Sequence, residues 1–167
     1  MKRVSLVAAT LMMMSASATL ASDERLPSDI SGTWTGIGKV QKNESAKPLN
    51  VKCSIDGEQS TGTIGFGGQC RALMFLKRDI GAELTVDGDR LSGVYVGSDA
   101  GPARLDGTIT DPETITLNMT FEREVNGDDQ AVMTIIRPDE NSFTITTVDR
   151  MLSGEEVTTS QITFLRK

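Results

Sequence analysis

The sequence predicts an all-β protein: an antiparallel up-and-down meander of about 8–10 strands, closed into a lipocalin/avidin-like barrel. Two observations predict it. Apolar and polar residues alternate with a period of two along most of the chain beyond residue 30, and no window shows the apolar stripe of a helix. Turn-forming pairs separate the alternating runs at intervals of about 8–13 residues, the spacing of a meander with short connections.

The first strand is read in Ser31-Gly32-Thr33-Trp34-Thr35-Gly36-Ile37-Gly38, which holds the single tryptophan. Next, Leu49, Val51, Cys53 and Ile55 alternate with Asn50, Lys52 and Ser54, and Cys70, Ala72 and Met74 share one parity further on. Ile80, Ala82, Leu84 and Val86 repeat the pattern, as do Ala103, Leu105, Gly107 and Ile109 against Arg104, Asp106, Thr108 and Thr110. The strictest run is Ile115 to Glu122, followed by Phe143 with Ile145 and by Ile162 with Phe164. Each run has one face for a core and one for water. The turns are read at Asp56-Gly57, Asp87-Gly88-Asp89, Asp111-Pro112, Asn126-Gly127-Asp128-Asp129, Pro138 to Asn141 and Ser153-Gly154. A Leu-x-Gly core recurs at Leu91, Leu105 and Leu152, where each glycine is expected at a strand entrance that bends the sheet.

One segment departs from the alternation. Cys70 to Arg78 carries apolar residues on both parities. Burial on both faces is the commoner cause, and an exposed patch is the alternative. Met74 and Phe75 are the first residues to examine for contact with a lipid chain.

The N-terminus has the order of a secretory signal: Lys2 and Arg3, an uncharged run from Val4 to Met14, then small residues to Ala21. The run is shorter than the roughly 20 apolar residues of a membrane span. Cleavage is expected after Ala21, with Ala18 as the alternative. The chain therefore divides into a signal (1–21), a flexible leader (22–30) and one barrel domain (31–167). A periplasmic or secreted location follows. The whole chain carries 17 basic and 23 acidic residues, a net charge of −6. Removing Lys2 and Arg3 makes it −8. Such a balance repels phosphate backbones and anionic lipid surfaces, so nucleic acid is not an expected partner.

Export places Cys53 and Cys70 where cysteines pair. Setting Cys53 opposite Cys70 in an antiparallel hairpin also sets Val51 opposite Ala72 and Leu49 opposite Met74, all on one apolar face. The turn then falls between Gly57 and Gly68. Closing this loop is worth about 3 kcal/mol. With no Cys-x-x-Cys, a structural bridge is preferred to a redox-active one.

Gly32-Thr33-Trp34 on the first strand, with Arg166 on the last, resembles the lipocalin and avidin group (calycins) of ligand-binding barrels. The resemblance implies that the first strand closes against the last and that Trp34 plugs one end beneath Arg166, as a cation–π pair. The chain departs from lipocalins in ending at Lys167, directly after the last strand, and from avidins in having one tryptophan. Trp-x-Gly-x-Gly, Val-x-Cys and Cys-x-Ala also look like a set of small exported bacterial proteins of unassigned activity.

The chain has no histidine, which excludes histidine triads, a histidine base and ordinary zinc sites. The glycines from Gly62 to Gly68 lie between strands, not before a helix, so they are no phosphate loop. No cofactor is expected. Asp87 with Asp89, Asp99 with Asp106, and Asp128 with Asp129 offer oxygens for calcium, but turn chemistry explains them better. Seven aromatic residues and polar outward positions argue against a membrane barrel.

The leading expectation is a non-catalytic exported barrel binding a small, partly apolar ligand through Met74, Phe75, Tyr95, Met119 and Phe121. The second is an envelope structural or interaction protein, or an inhibitor, with a filled core; Gly36, Gly38, Ala72, Ala82 and Ala103 are small inward residues that suit it. A carboxylate-dependent hydrolase is third.

Overall fold

The computed structural model describes residues 29–167, and the signal reading with most of the leader lies outside the described residues. Ten strands follow in sequence: β1 (Gly32–Val40), β2 (Leu49–Ser60), β3 (Thr63–Ala72), β4 (Leu76–Asp87), β5 (Arg90–Ser98), β6 (Gly101–Asp111), β7 (Thr114–Val125), β8 (Asp128–Asp139), β9 (Ser142–Arg150) and β10 (Glu156–Arg166). Each pairs antiparallel with its chain neighbour, and β1 pairs with β10, so the sheet is a closed barrel. Closure removes every edge, the usual liability of an antiparallel sheet.

Alternation decides which side chains face in. Val51, Cys53 and Ile55 of β2, Leu105 of β6, Leu117 and Met119 of β7, Met133 of β8 and Phe164 of β10 are buried in one continuous core. Cys53 stands opposite Cys70 and Val51 opposite Ala72, and the disulfide is formed. The expected pairing of Leu49 with Met74 is not made. β3 ends at Ala72, and β4 begins at Leu76. The expectation of a strand buried on both faces is thus corrected: Leu73, Met74 and Phe75 form the exposed tip of the β3–β4 hairpin. The glycine-rich stretch is likewise mostly strand β3, and its turn is confined to Thr61 and Gly62.

A barrel this strongly coiled needs places where strands approach closely. A Cβ on Gly38 would lie 2.1 Å from the Gln161 carbonyl of β10, and one on Gly107 would lie 2.0 Å from the Thr116 carbonyl of β7. Gly68 and Gly93 are constrained in the same way. Gly93 and Gly107 of the Leu-x-Gly echo thus stand where neighbouring strands approach closely, inside β5 and β6 and not at their entrances. Gly154 does not: it lies in a loop, at φ +85°. Gly67 is different again, since a Cβ there would meet nothing within 4 Å.

Two alanine substitutions separate these cases. Gly107→Ala should lose about 2 kcal/mol or more, the scale of overpacking against backbone. Gly67→Ala should be neutral or slightly stabilising, by up to about 1 kcal/mol. Urea unfolding of both variants measures the difference.

Candidate functional site

The two ends of the barrel are built differently. The end holding the N-terminus of β1 is sealed. Trp34 is fully buried there, and its Nε1 donates to the Ile30 carbonyl at 2.8 Å. Asp29 and Ile30 therefore pack against the barrel, although they fall in the span read as a flexible leader. The Phe143 ring meets Trp34 edge-on at 4.8 Å and stacks on Phe164 at 4.8 Å. Two guanidiniums cover the indole from outside, Arg166 at 4.3 Å and Arg137 at 5.4 Å from its ring centroid. Arg166 donates to the carbonyls of Asp29 and Glu140, and Arg137 to those of Asp139 and Glu140. Burial and the neighbouring Arg166 charge hold the Arg137 pKa below its ordinary value. The interior at this end keeps a small apolar cavity of about 40 Å³, walled by Ile64, Phe66, Leu84, Ile115, Ile135 and Phe143 among others, with room for a water or two, not for an organic ligand. Beside it lies a wider, more polar cleft of about 630 Å³ on β2, β3 and β4, lined by Asp56, Glu58, Gln59, Thr63, Phe66 and Glu83 among others.

The opposite end, the mouth, gathers the 41–48 loop, the Leu73–Phe75 tip, and the β5–β6, β7–β8 and β9–β10 connections, two of which carry the buried Ala100 and Met151. Just inside it Val40, Cys70, Ala72, Ile80, Tyr95 and Phe121 are partly buried, as Ile30, Phe66, Ala82, Val86, Ile109 and Ile135 are toward the Trp34 end. Pairing sets Tyr95, Ala103 and Phe121 in one cross-strand row, with Leu105 and Met119 in the row below. Met119, 2% exposed, belongs to the floor of the mouth. Burial raises the Tyr95 pKa, and the charge of Arg78 opposes that rise. Arg78 reaches across the rim to donate to the Gly97 carbonyl and to pair with Asp99.

Across the barrel the mouth turns polar. Asp149 of β9 is 3% exposed and stands opposite Ala131. Its Oδ2 accepts from Asn126 Nδ2 at 2.7 Å, while its Oδ1 has no hydrogen-bond partner among the described residues. Nearby, between β9 and β10, Ser160 donates to Thr147 Oγ1 at 3.1 Å. Burial raises the Asp149 pKa from the ordinary 3.8, against the Asn126 hydrogen bond, which lowers it.

Of the residues singled out from sequence, Tyr95, Met119 and Phe121 thus lie together at the mouth. Met74 and Phe75 lie apart, 98% and 76% exposed on the hairpin tip. Asp149 was missed, although its parity with Phe143 and Ile145 already places it on the apolar face.

No protein-family model and no curated protein matches the chain. Solved structures do. Rv2717c from M. tuberculosis aligns with a TM-score of 0.64 at 15% identity, covering 84% of this chain and 94% of that one. The S-type phycobiliprotein lyase CPES from Guillardia theta aligns with a TM-score of 0.58 at 15% identity, covering 82% and 88%. At this identity the shared property is the barrel fold.

The buried carboxyl makes a pH prediction. Its raised pKa means that the folded state holds the proton more tightly than the unfolded chain. The resulting stability is full below the ordinary value of 3.8 and is lost as pH rises through the folded-state pKa. Asp149→Asn should therefore match the wild type in acid and become more stable by about 1–2 kcal/mol at neutral pH, the scale of a buried unsatisfied group. Thermal unfolding across pH 3–8 checks this; equal pH dependence in both proteins would refute it.

Proposed function

We propose that this is a non-catalytic, exported binding barrel that takes a small, partly apolar molecule in its mouth. The observation that carries the reading is the composition of that mouth: partly buried Tyr95 and Phe121 on one wall and, on the other, a buried carboxyl oxygen without a hydrogen-bond partner among the described residues. A ligand with an apolar body and one hydrogen-bond donor or cationic group satisfies both. The body covers Tyr95 and Phe121 above the Met119 floor, and the donor reaches Asp149 Oδ1.

Several features support the rest of the reading. The chain lacks histidine and both cysteines are bonded, so the side chains most used as bases and nucleophiles are missing. The disulfide suits an oxidising compartment, as does the signal-like N-terminus. No helix of the described residues is long and apolar enough to cross a membrane.

A second reading, an envelope interaction protein, draws on the filled interior near Trp34, where the cavity of about 40 Å³ is too small for a carrier's cargo. Native and denaturing mass spectra of protein purified from its own host separate the two. The mouth reading expects a discrete extra mass lost on denaturation, and its loss in Tyr95→Ala/Phe121→Ala. A bare native mass with the disulfide intact would favour the interaction protein.

A further inference from the structure

The rim of the mouth carries two features that neither the fold nor the mouth requires. The first is the β3–β4 tip. Leu73, Met74, Phe75 and Leu76 are four consecutive apolar residues, all exposed. Leu73 sits at φ +56°, in the left-handed region that a leucine adopts only under constraint from its surroundings. Such an apolar run in water is the property of a contact surface.

The second is a row of like charges beside that tip. On the outer wall Lys52 stands directly opposite Arg71, and Arg71 directly opposite Lys77. Like charges in directly opposed cross-strand positions are destabilising. No ion pair relieves them among the described residues, where the salt bridges are Arg78–Asp99, Arg104–Asp106 and Arg150–Glu156. Lys39, Lys42 and Lys47 continue the cationic zone along the end of β1 and the 41–48 loop. The nearby acids are Glu44, which accepts from Ser153, and Asp79, which accepts from Gln69. Leu152, 87% exposed, adds an apolar projection on the β9–β10 loop at the same end.

We propose that this rim docks on the surface of an anionic lipid bilayer, the tip entering the headgroup region and the cationic row meeting the lipid charges. An apolar projection with a collar of lysine and arginine is the combination that such a surface selects, since each element alone binds weakly. The net charge, −6 for the whole chain and −8 without Lys2 and Arg3, works against an anionic surface, and the same end carries Asp99, Glu122, Asp128, Asp129, Glu155 and Glu156 on its β5–β10 side. The contact is therefore local to the β2–β3–β4 side: charges more than about 8 Å away are largely screened at physiological salt, and Asp56, Glu58 and Glu83 of these strands lie toward the Trp34 end. The barrel rests on the bilayer and does not span it, because its outward faces are mostly polar, with Ile37, Val94, Val96, Val132, Ile136 and Leu165 scattered over β1, β5, β8 and β10 and forming no continuous apolar belt. The inference is independent of a ligand in the mouth.

The test is flotation of the mature protein with vesicles of phosphatidylcholine alone and of phosphatidylcholine mixed with phosphatidylglycerol. Binding is expected only to the mixed vesicles and should fall as salt rises. Arg71→Gln and Lys77→Gln should each weaken it about fivefold, and Met74→Ser/Phe75→Ser should weaken it at least about tenfold. All four side chains are exposed, so circular dichroism should be unchanged; the unfolding midpoint should not fall, and Arg71→Gln should raise it slightly by relieving the like-charge pairs. The proposal is overturned by no binding to either vesicle, by equal binding to both, or by variants that bind like the wild type. A wild-type dimer that the tip variants convert to monomer, without vesicle binding, would assign the tip to self-association instead.

Discussion

Closure of β1 against β10 is the constraint on which the rest of the structure depends. A ten-stranded meander with an open seam would expose two unpaired strand edges, and the seam closes only because β1 lacks side chains where β10 crosses it. A Cβ on Gly36 would strike the Phe164 ring at 2.6 Å, and one on Gly38 the Gln161 carbonyl at 2.1 Å. Only glycine fits there. The same seam sets Trp34 opposite Arg166 and so places the indole beneath the guanidinium. The seal at that end follows from the register of the seam.

Sealing one end determines where binding can occur. Trp34, Phe143 and Phe164 fill the interior near the seam, and two arginines cap it through backbone carbonyls. Those hydrogen bonds spend the donor capacity of charged groups on structure. At the other end a buried carboxyl oxygen is left without a donor among the described residues. A buried polar atom without a partner costs free energy comparable to a lost hydrogen bond. The protein tolerates that cost at its mouth, where an incoming group can relieve it.

Much of this architecture was legible because period two is a strong local signal. The inward face of each alternating run and the cystine register follow from parity alone; β3, read as a turn from its glycines, and β8, where no run was visible, do not. The Cys53–Cys70 pairing even implies that Lys52 faces Arg71, one residue further along. Lys77 could not be added without knowing that β3 ends at Ala72. Apolar residues on both parities from Leu73 to Leu76 read equally as a doubly buried strand or a tip, and only the tight turn decides between them. Asp149 was obscured differently. Thr147 and Asp149 are polar residues on an otherwise apolar face, so the alternation seemed to fade just where the strand enters the mouth.

The position of the disulfide connects the mouth to the rim. Cys53–Cys70 lies one residue from the Lys52–Arg71 pair and joins the two strands that carry them. A cross-link closing a loop of this size is worth about 3 kcal/mol. Each cross-strand pair is a matter of about 0.2–1 kcal/mol. The bond therefore outweighs the repulsion along the cationic row by a clear margin, and it holds β2 and β3 in register up to the hairpin tip. Its inner side meets the core through the partly buried Cys70, while the outer faces of the same strands carry the lysines and the arginine. The cross-linked β2–β3 pair thus gives a fixed base to the β3–β4 hairpin, which has no cross-link of its own and which carries the apolar tip with Arg71 and Lys77 on its strands; Arg71 is held further by donating to Gln69 Oε1 at 3.1 Å.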